Sequence, residues 1–321
     1  MNTYSIGIDI GGTNTDIGLV RDDGHCMAKK NLPTNQYLDA SVYVSEICDK
    51  IKALMAENGV EIIDGIGIAA PAGNYYTGCI ENATNLNFKG IIDLPKLFHE
   101  HLDVPVVVSN DANAAAYGEL VYGGAKGMKH FVMFTLGTGV GSGIVVDGKL
   151  VHGSTGGAGE LGHAIVHPNG RPCSCGREGC LETYASARGI VQTFHLLRRK
   201  KGPRGETPEG WIPDSVHDDE VTSKMIGDAA NAGDPLAITT YKLTGRVLGL
   251  AMANAVTFSA PEAIFLMGGP AKVGEPLMKP LRKAFEENLL NIYKGTCTVR
   301  MSELRSNEVA ILGAAALIKM K

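Results

Sequence analysis

Ile8–Gly24 reads IDIGGTNTDIGLVRDDG, and Phe134–Gly148 repeats its plan as FTLGTGVGSGIVVDG. Each stretch ends an apolar strand, turns on Gly and Thr, returns as a second strand and reaches an Asp-Gly hairpin. Tyr4–Ile10 predicts the first strand, Gly11-Gly12-Thr13 its turn and Ile17–Arg21 the return, closed by Asp22-Asp23-Gly24. Phe131–Leu136, Gly137-Thr138-Gly139 and Ser142–Val146 are the matching pieces, and Lys149–His152 continues beyond Asp147-Gly148. Two copies of one plan imply two related α/β halves facing each other across a cleft.

Between the copies, Asp39 predicts the cap of a helix to Asn58. Val44, Ile47, Ile51, Leu54 and Met55 share one face, and Gly59 is the stop. Ile62–Ala70 and Val104–Ser109 are apolar runs of the kind buried in a sheet. Asp111 is placed to cap an Ala-rich helix to about Leu120. Further on, Arg198–Glu220 is polar and rich in Gly and Pro, and reads as a loop or insertion. Its basic run, Arg198 to Lys201, reads as a solvated helix end. Ile264–Met267 is a short strand ending in Gly268-Gly269, and a helical pattern closes the chain from about Glu308 to Lys319.

The 321 residues suit two domains. A net charge of −4 gives no basic field for nucleic acid. The start lacks the pattern of a signal peptide. The longest apolar run, Val247–Phe258, is interrupted by Asn254 and falls short of the roughly 18 residues of a membrane span. A reducing cytoplasm is therefore expected for the seven cysteines. Glycine is the outlier at 41 residues, sixteen of them between Gly123 and Gly179. Such a concentration marks tight turns or backbone that something must approach closely.

Three constellations carry chemistry. The Gly-Thr turns present backbone N–H groups after a strand, which suits phosphate oxygens, though ordinary hairpins use glycine as well. Asp9, just before the first turn, can hold Mg²⁺ through water. Asn110-Asp111 follows a strand and opens a helix, where a ligand site and a simple helix cap are both compatible. His163, Cys173, Cys175 and Cys180 supply three thiolates and one imidazole, the donor set of a structural zinc site. Reduced cysteines in a glycine-rich loop are the plain alternative. Glu160 and Glu182 flank that cluster and suit sugar hydroxyls.

The chain resembles the ROK family of bacterial sugar kinases and repressors. DIGGTNT at Asp9–Thr15, SNDANAAA at Ser109–Ala116 and LGTGVGSG at Leu136–Gly143 carry the likeness. So do GGAGELGH at Gly156–His163, CSCGREGCLE at Cys173–Glu182 and MGGP at Met267–Pro270. The resemblance implies an α/β, actin-like (ribonuclease H-like) duplicated two-domain ATPase fold with a cleft between the domains. The expected domains are 1–114 and 115–307, with a C-terminal helix at about 308–321 packing back on the first.

It implies phosphorylation of a hexose by ATP with Mg²⁺ and a structural Zn²⁺. Glucose is the expected acceptor; N-acetylglucosamine, N-acetylmannosamine, fructose and allose are the alternatives, and polyphosphate an alternative donor. Asp111 corresponds to the base. Gly73, Asn85, Asn110, Asp111, Glu160, His163 and Glu182 correspond to the sugar site. Asp9, Gly11, Gly12, Thr13, Gly137, Thr138, Gly139, Gly268 and Gly269 correspond to the nucleotide site. His163, Cys173, Cys175 and Cys180 correspond to the zinc ligands. A homodimer or homotetramer without nucleic-acid or membrane partners is expected. The family's repressors carry a DNA-binding segment ahead of the first strand, for which the residues before Tyr4 leave no room. The polar stretch 198–220 departs from the family pattern and is expected to lie away from the matched motifs.

Overall fold

A computed structural model of the chain describes residues 3–204, 207–304 and 308–320. Residues 205 and 206 of the polar stretch, and 307 and 321 at the expected domain ends, lie outside the described residues. Strands β1 (Tyr4–Ile10), β2 (Asn14–Arg21) and β3 (Cys26–Pro33) form an antiparallel meander, followed by α1 (Ala40–Glu57) and β4 (Ile66–Ala69). A small hairpin of β5 (Cys79–Glu81) and β6 (Ile91–Asp93) leads to α2 (Leu94–His99), β7 (Val106–Ser109) and α3 (Asp111–Tyr122). The second series is β8 (Phe131–Leu136), β9 (Val140–Val146) and β10 (Lys149–Leu150). Helices α4 (Glu182–Ala185), α5 (Ala187–Lys201), α6 (Ser223–Asn231) and α7 (Pro235–Ser259) follow. Then come β11 (Ala263–Gly268), α8 (Glu275–Asn288), β12 (Thr298–Met301) and α9 (Val309–Ala316).

The sequence repeat is a repeat of topology. One sheet has the order β3-β2-β1-β4-β7 and the other β10-β9-β8-β11-β12. In each, the last two strands add in parallel, β4 beside β1 and β7 beside β4 in one, β11 beside β8 and β12 beside β11 in the other. Parallel strands need covering on both faces, and helices supply that cover.

Contacts divide the chain into two compact units, residues 1–129 with 143–159 and 302–321, and residues 130–142 with 160–301. The expected border at 114/115 falls inside α3, which runs unbroken from Asp111 to Tyr122 and stays whole in the first unit. In that unit α1 lays Tyr43, Val44, Ile47, Cys48, Ile51 and Leu54 into the core. Asp39 caps it, its side chain accepting the Ser41 N–H at 2.7 Å. Burying each such aliphatic side chain contributes about 1.5–3 kcal/mol. Helix α9 covers β1 and β4 and packs on α3. The approach runs over glycine: a Cβ on Gly7 would meet the Ile311 carbonyl oxygen at 2.1 Å, and one on Gly67 the Ala314 oxygen at 1.9 Å.

In the second unit, α7 and α8 pack tightly because Gly245 and Gly249 face backbone atoms of α8. The apolar run 247–258 lies in α7, and no helix among the described residues is long and apolar enough to cross a membrane.

Two expectations change and a third holds. Ile62 is exposed and strand β4 starts only at Ile66, after the Asp64-Gly65 bend. The basic run Arg198–Lys201 is the last turn of α5, the helix end expected of it. Asp111 does not cap α3; Asn110 does.

Candidate functional site

Within the first unit, β1 delivers Asp9 to the mouth of the Gly11–Thr13 turn. The turn closes through Gly11 N–H to the Asn14 carbonyl at 2.9 Å, and Thr13 accepts the Thr34 N–H at 2.8 Å. Below it, Thr15 shares buried hydroxyl bonds with Thr34 at 2.7 Å and with Tyr43. Gly12 packs against Asn85, whose carbonyl oxygen would stand 2.7 Å from an added Cβ. Burial, with the charges of Asp111 and Asp16, pushes the Asp9 carboxyl up to about 6.

The end of β7 meets the same region. Asn110 has extended backbone and its Oδ1 accepts the Asn113 N–H at 2.7 Å. Asp111 is then the first helical residue, touching its own helix through the Ala112 N–H at 2.8 Å. Its carboxylate reaches solvent, yet it stands deep among protein atoms, and that burial raises its pKa above the ordinary carboxylate value. Gly73 lies against the Ser109 carbonyl, 2.5 Å from where its Cβ would be. Its neighbour Ala72 takes the left-handed conformation at φ 53° to make that bend. Asp9, Gly11, Gly12, Thr13, Gly73, Asn85, Asn110 and Asp111 therefore all belong to the first unit, at or beside the ends of β1 and β7.

The second unit collects the rest. Gly137 N–H bonds the Gly139 carbonyl at 2.9 Å, and the Gly137 carbonyl accepts the Ala187 N–H at 2.9 Å. Gly268 pairs with Leu136 at the end of β8, and its φ of 111° with Leu136 oxygen at 1.9 Å from a built Cβ admits only glycine. Thus Gly268-Gly269 stands beside the second turn. Glu160 precedes a short 3₁₀ turn, Leu161–His163, seated on β9: Leu161 N–H donates to Ser142 Oγ at 3.0 Å. Glu182 Oε2 accepts the Val140 N–H at 3.0 Å.

The donor atoms of His163, Cys173, Cys175 and Cys180 all lie within 4.8 Å of one another. Cys175 and Cys180 sulfurs are 3.7 Å apart, and Cys173 Sγ is 3.6 Å from His163 Nδ1. Zn–S bonds of about 2.3 Å on a tetrahedron give S···S edges of about 3.8 Å. The donor set and its spacing fit a closed structural zinc site. Arg177, through its backbone N–H and its guanidinium, holds the Cys175 thiol down at about 6.

A cavity of about 720 Å³ opens next to Thr138, walled by α5 residues Arg188, Gln192 and His195 and by Asp218, Asp219 and Thr222. The stretch 198–220 was expected away from the motifs; instead Asp218 and Asp219 reach this cavity. Asp218 is drawn there by Arg198, by Arg199 at 3.0 Å and by His195 at 3.1 Å. Sequence reading missed Gln192, His195 and this acidic pair, because their spacing matches no motif. It also missed Arg171. That guanidinium bonds the Thr183 and Gly189 carbonyls at 2.7 and 3.0 Å. The signal was an arginine just before the first cysteine of a loop rich in Gly, Pro and Cys.

A family model described as ROK family matches residues 5–321. The chain belongs to the ROK family. Glucokinase from Halalkalibacterium halodurans is 34% identical over 99% of this chain and 96% of its own length. A ROK glucokinase from Streptomyces griseus, solved with glucose and AMPPNP, superposes with a TM-score of 0.78 at 31% identity, covering 98% of each chain. A ROK family transcriptional regulator, a homologue of the E. coli MLC protein, gives a TM-score of 0.85 at 26% identity. That match covers 98% of this chain and 77% of the regulator. The fold is the actin-like α/β fold of ROK sugar kinases.

Proposed function

We propose that this protein is an ATP-dependent glucokinase that forms glucose 6-phosphate, with Asp111 as the base. The observation that carries the reading is the state of Asp111: it opens α3 without serving as its cap, solvent-reachable, with a carboxyl raised by burial. The near full-length likeness to glucokinases supports glucose as acceptor.

The sugar O6 hydroxyl is too weak an acid to ionise beforehand, so Asp111 takes its proton as the oxygen attacks the γ-phosphorus of ATP. Asn110, Gly73 and Asn85 border that carboxylate's region in the first unit; Glu160, His163 and Glu182 of the second unit are the further residues proposed for sugar contact, as acceptors and an imidazole. Gly11–Thr13 and Gly137–Gly139 offer backbone N–H groups to the phosphates. Gly268-Gly269 and the cavity beside Thr138 suit the nucleoside, the cavity being mostly apolar and of adequate size. Mg²⁺ near Asp9 would supply charge neutralisation at the phosphates. Zn²⁺ on His163, Cys173, Cys175 and Cys180 would fix the loop that carries Glu182.

A coupled assay of ADP release across a hexose and N-acetylhexosamine panel, with ATP and polyphosphate as donors, tests this. Glucose with ATP is expected to give the highest kcat/KM. A higher value for another sugar would replace glucose, and no turnover with any sugar would remove the kinase reading. The structural likeness to the regulator supports a second reading as a sugar-responsive DNA-binding protein; a mobility shift on sugar-operon DNA that glucose relieves would favour it.

A further inference from the structure

Glu182 touches two parts of the second unit that the proposed chemistry uses separately. Its Oε2 accepts the N–H of Val140, the residue that follows the Gly137–Gly139 turn, at 3.0 Å. The same oxygen would stand 2.3 Å from a Cβ built on Gly139, so the carboxylate packs directly against the turn. Its other oxygen, Oε1, lies 4.0 Å from Cys173 Sγ, inside the cysteine–histidine cluster.

The surrounding backbone makes the same connection. Glu182 follows Cys180 by two residues and opens α4. Just past α4, the Ala187 N–H holds the Gly137 carbonyl. Arg171, two residues before Cys173, grips Thr183 and Gly189 on either side of that segment and lies 4.5 Å over the Tyr184 ring. The cysteine loop and the turn are therefore joined through one carboxylate and one short helix.

We propose that Glu182 is a positioning residue that couples the cysteine–histidine metal loop to the Gly137–Gly139 turn, so that metal occupancy strengthens binding of a nucleoside triphosphate. The proposal rests on the reading of that turn as a phosphate site. A turn that binds phosphate through backbone N–H groups works only when those groups are already aimed. Glu182 aims them by holding the strand that leaves the turn. This role differs from sugar contact, since it rests on the oxygen that serves Val140.

The test measures AMPPNP affinity by calorimetry without sugar, on the full chain, as purified and after chelation, with zinc followed by elemental analysis. Glu182→Ala is expected to weaken AMPPNP about tenfold, the worth of a charge-assisted hydrogen bond, with zinc content unchanged. Glu182→Gln keeps an acceptor for Val140 and is expected to stay within about threefold of the parent. Stripping zinc from the parent should weaken AMPPNP by a factor like that of Glu182→Ala, and stripping the Ala variant should add little. Equal affinity in the parent and Glu182→Ala, or in loaded and stripped parent, overturns the coupling. If Glu182→Ala does not fold, the loaded and stripped parent decide alone. An unaltered chain that binds no AMPPNP overturns the phosphate reading beneath the proposal, and shows itself by failing before any substitution is made.

Discussion

The side-chain oxygen of Asn110 accepts the Asn113 N–H at 2.7 Å, so the start of α3 is closed without the carboxylate of Asp111. The two neighbours have separate duties, and their substitutions should separate as well. Asp111→Asn is expected to lower kcat by about 10²–10⁴, the usual range for a lost general base. Its melting temperature should stay within a few degrees of the parent, and calorimetry should find sugar and nucleotide still bound. Asn110→Ala removes the cap and should cost about 1 kcal/mol of stability by denaturant unfolding. Near-normal kcat in Asp111→Asn would end the base assignment.

That division of labour marks where sequence reading stops. Asn and Asp are both good caps, and only backbone angles tell which one stands outside the helix. Periodicity and turn residues were enough for β1 and β8, whose bounds agree residue for residue, because each strand is rich in apolar residues and ends at a glycine turn. The cysteine spacing was enough to assemble four donors, since short loops leave little choice. Asp218 was beyond reach: its place beside Thr138 depends on three partners on α5, and ion pairs leave no periodic trace. The unit borders were equally hidden. The return of residues 302–321 to the first unit rests on α9 meeting glycines some 240 to 300 positions earlier.

Asp9 should tie stability to pH. Its folded carboxyl stands at about 6 against an ordinary value near 4, so between those values the native chain holds more protons than the unfolded chain. Native stability contributed by this group is greatest below about pH 4 and falls as pH rises toward 6. Asp9→Asn removes the penalty. Without ligands the variant should exceed the parent by roughly 2–3 kcal/mol at pH 7.5, and match it near pH 4. Urea unfolding at the two pH values checks this; equal stability at pH 7.5 would show that Asp9 is not held under strain.

Zinc should be present at about one ion per chain in protein purified without chelators. Removing it should lower the melting temperature, because binding energy at such a site is folding energy. Cys180→Ser is expected to lose the metal outright, its sulfur being buried. Elemental analysis and thermal unfolding give the answer; a metal-free preparation with unchanged melting temperature would refute the site.

Glycines at two positions should behave in opposite ways, and the contrast tells fold from ligand. An added Cβ on Gly67 meets the Ala314 carbonyl oxygen at 1.9 Å, so α9 must shift before alanine fits. Gly67→Ala should cost about 1–3 kcal/mol, as overpacking does, with little change in nucleotide affinity per folded molecule. At Gly137, among the described residues, no atom beyond its own chain neighbours lies within 4 Å of the built Cβ, and its φ is outside the left-handed region. The fold does not require glycine there. On the proposed reading a ligand brought close to the turn does, because a methyl group would stand where the proposed phosphate approaches. Gly137→Ala should keep the parent's melting temperature within about 2 °C, since open surface positions change stability little. It should raise the KM for ATP about tenfold or more, equivalent to about 1.4 kcal/mol of lost contact. Thermal unfolding beside steady-state kinetics separates the two cases. A Gly137→Ala enzyme with unchanged KM for ATP would take the phosphate away from this turn.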